Sequence, residues 1–105
     1  MASQATWKQR DVFPIIARLI RDEHSRHGRF VLAREIAARL LQDGEGRAII
    51  DAARQQRQDR SLEFTARNMV SWFSQRITIG ESDWRQAFER TKIDGRWAYK
   101  PTGPI

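Results

Sequence analysis

Apolar residues recur at helical spacing through most of this chain, in four stretches, before a hairpin signature takes over near the C-terminus. The first stripe is Val12, Phe13, Ile16, Leu19 and Ile20. It predicts a helix for which Asp11 is a plausible N-cap, and in which Pro14 is tolerable only within the first turn. Gly28 stops that helix, and Arg26 and His27 suit its negative C-terminal end. Trp7 is expected to fold back onto it. Residues 29–31 read as a short extended link. A second helix then runs to about Gln42, with Leu32, Ile36, Leu40 and Leu41 as its stripe and Ala33, Ala37 and Ala38 permitting close helix approach. Residues 43–46, which include two glycines, break the chain. A third, weakly amphipathic helix over about 47–59 points Ile49, Ile50 and Ala53 inward, while Arg47, Arg54, Arg57 and Arg60 recur along its other side.

The fourth stripe is the cleanest. Ser61 is a good N-cap, and Leu62, Ala66, Met69, Val70, Phe73 and Ile77 follow at helical period. The opposite face carries Arg67, Asn68, Ser71, Ser74 and Gln75. Gly80 ends the next connection, and Ser82 caps a short fifth helix holding Trp84, Ala87 and Phe88. Asp94-Gly95 then signals a two-residue type I′ turn between strands at 90–93 and 96–100. That register sets Ile93 opposite Arg96, Lys92 opposite Trp97, Thr91 opposite Ala98 and Arg90 opposite Tyr99. The fold class is therefore mainly α with a small C-terminal β-hairpin. Residues 1–5 form a polar lead, 6–101 a single domain and 102–105 a short tail.

Composition narrows the function classes. The 105 residues suffice for one core, and with no cysteine there is no disulfide framework, thiol chemistry or cysteine zinc site. No apolar h-region opens the chain and no run is long enough to cross a bilayer, so the expected address is cytoplasmic, with no membrane partner. The charge is +6, and only three of the 19 basic residues are lysine. Arginine grips phosphate through a planar fork, which suits a nucleic-acid partner. A plain solvated, soluble surface would show the same excess.

The helix order followed by a hairpin brings a family into view. The run Val31-Leu32-Ala33-Arg34-Glu35-Ile36-Ala37-Ala38-Arg39-Leu40-Leu41 resembles the second helix of a helix-turn-helix, and the hairpin of residues 90–100 resembles the wing of winged-helix DNA-binding domains. The resemblance covers about residues 12–100. Residues 43–60 depart from it, because they insert a helix where the family has a short turn, so recognition falls either to 47–59 or to 62–77. The second is preferred for its firm apolar anchor. The resemblance implies a helix in the major groove of double-stranded DNA, with Arg67 and Asn68 toward base edges and Ser71 and Gln75 beside them. The wing would offer Lys92 and Arg96 to phosphate or the minor groove. Arg54 and Arg57 on the third helix could follow the backbone, although Asp51 offers them local pairing.

Other chemistry is thin. His24 and His27 lie on one helix face, but spacing supplies no third ligand, so no metal site is assigned. No nucleophile elbow, phosphate loop or paired-carboxylate arrangement stands out, so neither an enzyme nor a cofactor is expected. Trp97 and Tyr99 could stack on bases beside Arg90 and Lys92, or cover the core with the cations over their rings. The competing function is a helical protein-interaction module of winged-helix shape without DNA. An exposed Trp72 or Trp7 would mark the surface it uses.

Overall fold

The computed structural model describes residues 9–56, 58–79 and 87–102. In chain order these form α1 (Gln9–His27), β1 (Val31–Leu32), α2 (Ala33–Gln42), α3 (Gly44–Gln56), α4 (Leu62–Ile79), β2 (Phe88–Ile93) and β3 (Arg96–Pro101). The result is the mainly helical fold with a small C-terminal hairpin that the hydrophobic pattern predicts. Trp7, Arg57, Ser82, Trp84 and the side chain of Ile77 lie outside the described residues.

The α1 stripe is buried as expected, joined by Ile15 and Ala17. The helix extends back to Gln9, which puts Asp11 inside the first turn rather than at the cap. Pro14 is correspondingly deeper than a first-turn position, but it is exposed, so its missing N–H falls on the solvent side. Gly28 closes the helix in a left-handed conformation, φ 66°, and its N–H donates to the His24 carbonyl at 2.7 Å.

The link after α1 is more than a link. Val31 and Leu32 pair antiparallel with Tyr99 and Ala98, which makes a three-stranded sheet in the order β1-β3-β2. Two residues are too few for a strand pattern in sequence, so only the partner strand identifies β1. The hairpin register is as the Asp94-Gly95 turn requires, from Ile93↔Arg96 to Arg90↔Tyr99. Asp94 and Gly95 both have positive φ, 52° and 77°, as a type I′ turn demands. Each strand is longer than predicted, because Phe88 begins β2 instead of closing a fifth helix.

Between α2 and α3 only Asp43 intervenes, so the predicted four-residue break is a sharp helix-to-helix corner. The Asp43 carboxylate accepts the Gly46 N–H at 3.0 Å and its carbonyl accepts the Arg47 N–H at 2.7 Å, so it caps α3. Its other oxygen takes a 2.8 Å bond from Arg18 of α1, tying three helices together. That guanidinium, with the Gly46 N–H, holds the Asp43 carboxyl below its ordinary range. Gly46 is buried against Leu40, and a Cβ there would stand 2.7 Å from both the Leu40 side chain and its carbonyl oxygen. The corner exists because that position has no side chain.

Phe73 of α4 sits at the centre of the core. Edge-on aromatic contacts join it to Phe13 at 5.8 Å, Phe88 at 5.5 Å and Tyr99 at 6.5 Å between ring centroids, linking α1, α4 and both hairpin strands. Met69 and Val70 bury beside it, and α2 packs along α4. Trp72 is half-buried against this core, so it does not form the exposed patch that would mark a protein-binding surface. No helix among the described residues is long and apolar enough to cross a membrane.

Two measurements probe the corner. Gly46→Ala must push Leu40 aside, and urea denaturation should show a loss of about 1–3 kcal/mol. Gly44→Ala, where a Cβ meets nothing within 4 Å, should gain about 0.4–1 kcal/mol. Asp43 also predicts a pH dependence. Its pKa is depressed on folding, so its stabilisation is present above the unfolded value and is lost as pH falls through the carboxylate range. Denaturation midpoints at pH 7 and pH 3 should differ less in Asp43→Asn, which keeps the cap but not the charge.

Candidate nucleic-acid interface

The arginines divide into two populations. Over α1, α2 and α3 most are matched to acids. Arg18 pairs with Asp43 and Arg47 with Asp51, at 2.8 and 3.1 Å. Arg29 reaches Glu35 at 3.2 Å, and that carboxylate also accepts the Leu32 N–H, which favours its charged form. Glu23, buried between α1 and α2, holds Arg39, Arg26 and His27 together. His24 is likewise occupied, its Nδ1–H donating to the Arg29 carbonyl at 2.8 Å. Among the described residues no group of three or more metal-binding side chains gathers.

Over α4 and the hairpin the pattern changes. Arg67 on α4 is exposed and makes no ion pair with a described carboxylate, and the same holds for Arg34 on α2 and for Lys92 and Arg96 on the hairpin. Glu63, one helical turn before Arg67, lines a neighbouring hollow with it but does not reach ion-pairing distance. These cations come from three separate stretches of sequence. The packing of α2 and the hairpin on α4 brings Arg34 and Arg67 to one groove with Trp97, over which Lys92 stands, while Arg96 is exposed at the hairpin turn.

The hairpin is anchored by a buried clasp. Ser74, 5% exposed on α4, accepts a 2.7 Å bond from the Arg90 guanidinium and is hydrogen-bonded to the Tyr99 hydroxyl. Burial pushes the Tyr99 phenol above its ordinary pKa, so it stays protonated and able to bond. The same guanidinium lies 3.9 Å from the Trp97 ring centroid, and the Lys92 ammonium stands 5.1 Å from it. Ser74 thus leaves the free polar face to which its helical position assigns it, because the hairpin covers that side of the helix. Trp97 and Tyr99 also part company: Tyr99 is core, whereas Trp97 keeps 36% of its surface exposed.

Between α2, α4 and the hairpin lies a half-open groove of about 260 Å³. Val70, Trp97 and Tyr99 line it with apolar surface, Ser71 and Gln75 with polar groups, and Arg34, Arg67 and Arg90 with guanidinium groups. Arg67 and Ser71 also line an adjoining hollow with Asn68 and Phe64, so the surface continues along α4 toward its N-terminus. Four sequence-predicted residues, Arg67, Asn68, Ser71 and Gln75, therefore share one surface, with Lys92 beside Trp97 at its edge. Arg54 is elsewhere. Its Nε–H is spent on the Arg60 carbonyl at 2.8 Å, and it lines a separate hollow with Asp51, Gln55 and Gln58. Arg57 lies outside the described residues. Sequence reasoning missed Arg34, whereas Arg90 lies over the Trp97 ring as one of its two readings has it. A signal for Arg34 was present, since it precedes the small Ala37 and Ala38 by one turn and so stands beside whatever helix docks there.

Compared with known proteins, the chain matches no family model, no curated protein and no solved structure.

The clasp makes a direct prediction. Ser74→Ala removes the hydroxyl that bonds both Arg90 and the buried Tyr99, leaving Arg90 only its 3.4 Å reach to the Ser74 carbonyl, and thermal or urea unfolding should report a loss of about 1–3 kcal/mol. A neutral result would mean that the hairpin is held by its apolar face alone.

Proposed function

We propose that this protein is a winged-helix-like module that binds double-stranded DNA through α4 and the β2–β3 hairpin. The observation that carries the reading is a difference among the cations: Arg18, Arg26, Arg29, Arg39 and Arg47 meet acids, whereas Arg34 of α2, Arg67 of α4 and Lys92 and Arg96 of the hairpin meet no described carboxylate. Unpaired cations repel one another, and a fold that gathers them from three segments favours an anion over that surface. A polyanion with regular phosphates is the ligand that this strip fits best.

The shape supports the same reading. The sheet order β1-β3-β2, with β2 following α4 in chain order, supports the winged-helix resemblance, and with α3 inserted we take α4 as the recognition helix. In that arrangement Arg67 and Asn68 face base edges, Ser71 and Gln75 support them, and Lys92 and Arg96 hold backbone phosphate. Arg54 contributes at most an outlying phosphate contact. A protein-interaction module is the rival, and two of the three exposed large apolar residues described speak against it. Phe64 and Trp97 each have a cation over the ring, Arg60 at 5.1 Å and Arg90 at 3.9 Å, while Ile93 is exposed singly beside the hairpin turn.

Fluorescence anisotropy with a random-sequence duplex tests this. Binding at micromolar protein and low salt is expected, weakening with a log–log slope of about 0.9 per phosphate engaged. Arg67→Ala should cost about 1–3 kcal/mol of affinity, whereas Arg47→Ala, whose guanidinium already has Asp51, should change little. Absence of binding, or binding indifferent to salt, would refute the reading.

A further inference from the structure

The groove beside α4 has features that a duplex lying across the surface does not use. Its floor is apolar and deep enough to include Val70 and Tyr99, each 1% exposed, whereas phosphate and base edges call for polar contacts. Its aromatic wall is Trp97, held in place by the Arg90 guanidinium, which Ser74 in turn fixes. The indole is therefore pre-positioned rather than free to fold away. A volume of about 260 Å³ lies under the range of roughly 300–1,000 Å³ that takes drug-sized ligands. That suits one planar ring system and not a dinucleotide cofactor. Ser71 and Gln75 add a hydroxyl and an amide at the wall, which together both donate and accept, as the edge of a heteroaromatic ring requires. Arg34 and Arg67, which meet no described carboxylate, line the same groove and can take an anion attached to that ring.

An apolar lining for one ring, polar groups for its edge and two arginines that meet no described carboxylate match a nucleotide. We infer that this groove holds a single unpaired nucleobase of the nucleic acid bound by this face, stacked on Trp97, with its flanking phosphates on Arg34 and Arg67. The inference rests on the DNA-binding reading and makes it more specific: the preferred substrate is a duplex interrupted by an extrahelical base, not a continuous one. A base already outside the helix enters without the cost of breaking a pair and a stack. The same chemistry, a base with phosphate, could also come from a free mononucleotide, so the test must separate the two sources.

Three fluorescein-labelled duplexes of one sequence separate these outcomes: blunt and fully paired, carrying one bulged adenosine, and carrying an abasic bulge. The bulged duplex should bind about 5- to 150-fold more tightly than the paired one, the ratio expected from stacking one base on an aromatic ring. The abasic bulge should lose that gain, since it has the bend and phosphates without the ring. Trp97→Ala should bring bulged and paired duplexes to the same affinity, and Trp97→Phe should restore part of the difference. The abasic comparison uses the unaltered protein, so it stands even where the alanine variant folds poorly. Deoxyadenosine monophosphate should compete with the bulged duplex only at millimolar concentration. Equal binding of all three duplexes overturns the inference and leaves the DNA-binding reading intact, as does equal gain from the abasic bulge. Competition by the mononucleotide at micromolar concentration overturns it in favour of a free-nucleotide site. Binding to none of the duplexes overturns both readings.

Discussion

The position of the hairpin against α4 depends on one buried hydroxyl. Ser74 is enclosed, and its partners Arg90 and Tyr99 come from the two strands of the hairpin, so a single group on the helix holds both strands in place. Because Arg90 and Tyr99 are cross-strand partners, the bond network also resists a register slip, which would turn every hairpin side chain to the opposite face. Phe88 and Tyr99 pack on Phe73 one step away, so the polar clasp sits at the border of the aromatic core. The sheet face that covers the core continues beyond it toward the turn, and there it becomes Arg90, Trp97 and Lys92. The groove is the space left where that face departs from α4.

The paired side of the molecule follows a different logic. Asp43 joins the α2–α3 corner to Arg18 of α1, and Glu23 joins α1 to Arg39 of α2. Both carboxylates are more enclosed than the arginines they meet, so each organises cations that keep contact with water. Exposed pairs of this kind contribute little stability individually. Their consequence is electrostatic: five arginines on this side meet acids, whereas Arg34, Arg67, Lys92 and Arg96 meet no described carboxylate. A net charge of +6 distributed evenly would be weak attraction everywhere. Where Arg34, Arg67 and Arg90 line one groove, it becomes directional.

What could be read from the sequence follows the range of the interactions involved. The α1 and α4 stripes, the Ser61 cap with its 3.0 Å bond from the Phe64 N–H, and the whole hairpin register depend on neighbours within a few residues, and all are as the pattern implies. The features that escaped are those decided at long range. β1 is two residues that become a strand only beside β3. Ser74 has the spacing of a surface residue and is buried by a hairpin that begins 14 positions later. The α2–α3 corner was misread for a local reason of another kind: two glycines and two acids look like a loop. In fact Asp43 is a cap, and Gly46 is there for want of room. Four members of the polar α4 face were legible from helical period alone, but the groove they line was not, since Arg34, Arg90 and Trp97 reach it from other elements.

The separation between local and long-range determinants explains why composition was such a weak guide to function here. Sixteen arginines on a small chain are compatible with either a uniformly solvated surface or a binding strip, and the sequence places them at similar density throughout. The distinction lies in which of them meet acids after folding, and that is settled by packing. Arg47 and Arg67 illustrate it. Both sit on the outer face of a helix, and both have a carboxylate one turn away, Asp51 and Glu63 respectively. Only the first pair closes. Asp51 lies C-terminal to its arginine and Glu63 N-terminal. The Glu63-to-Arg67 order is the more favourable one for an isolated helix, so local preference would predict the opposite outcome. An open Arg67 with a willing neighbour is therefore a property of the folded surface: its side chain lines the hollow shared with α2 and the groove toward Trp97 instead of lying back along its own helix.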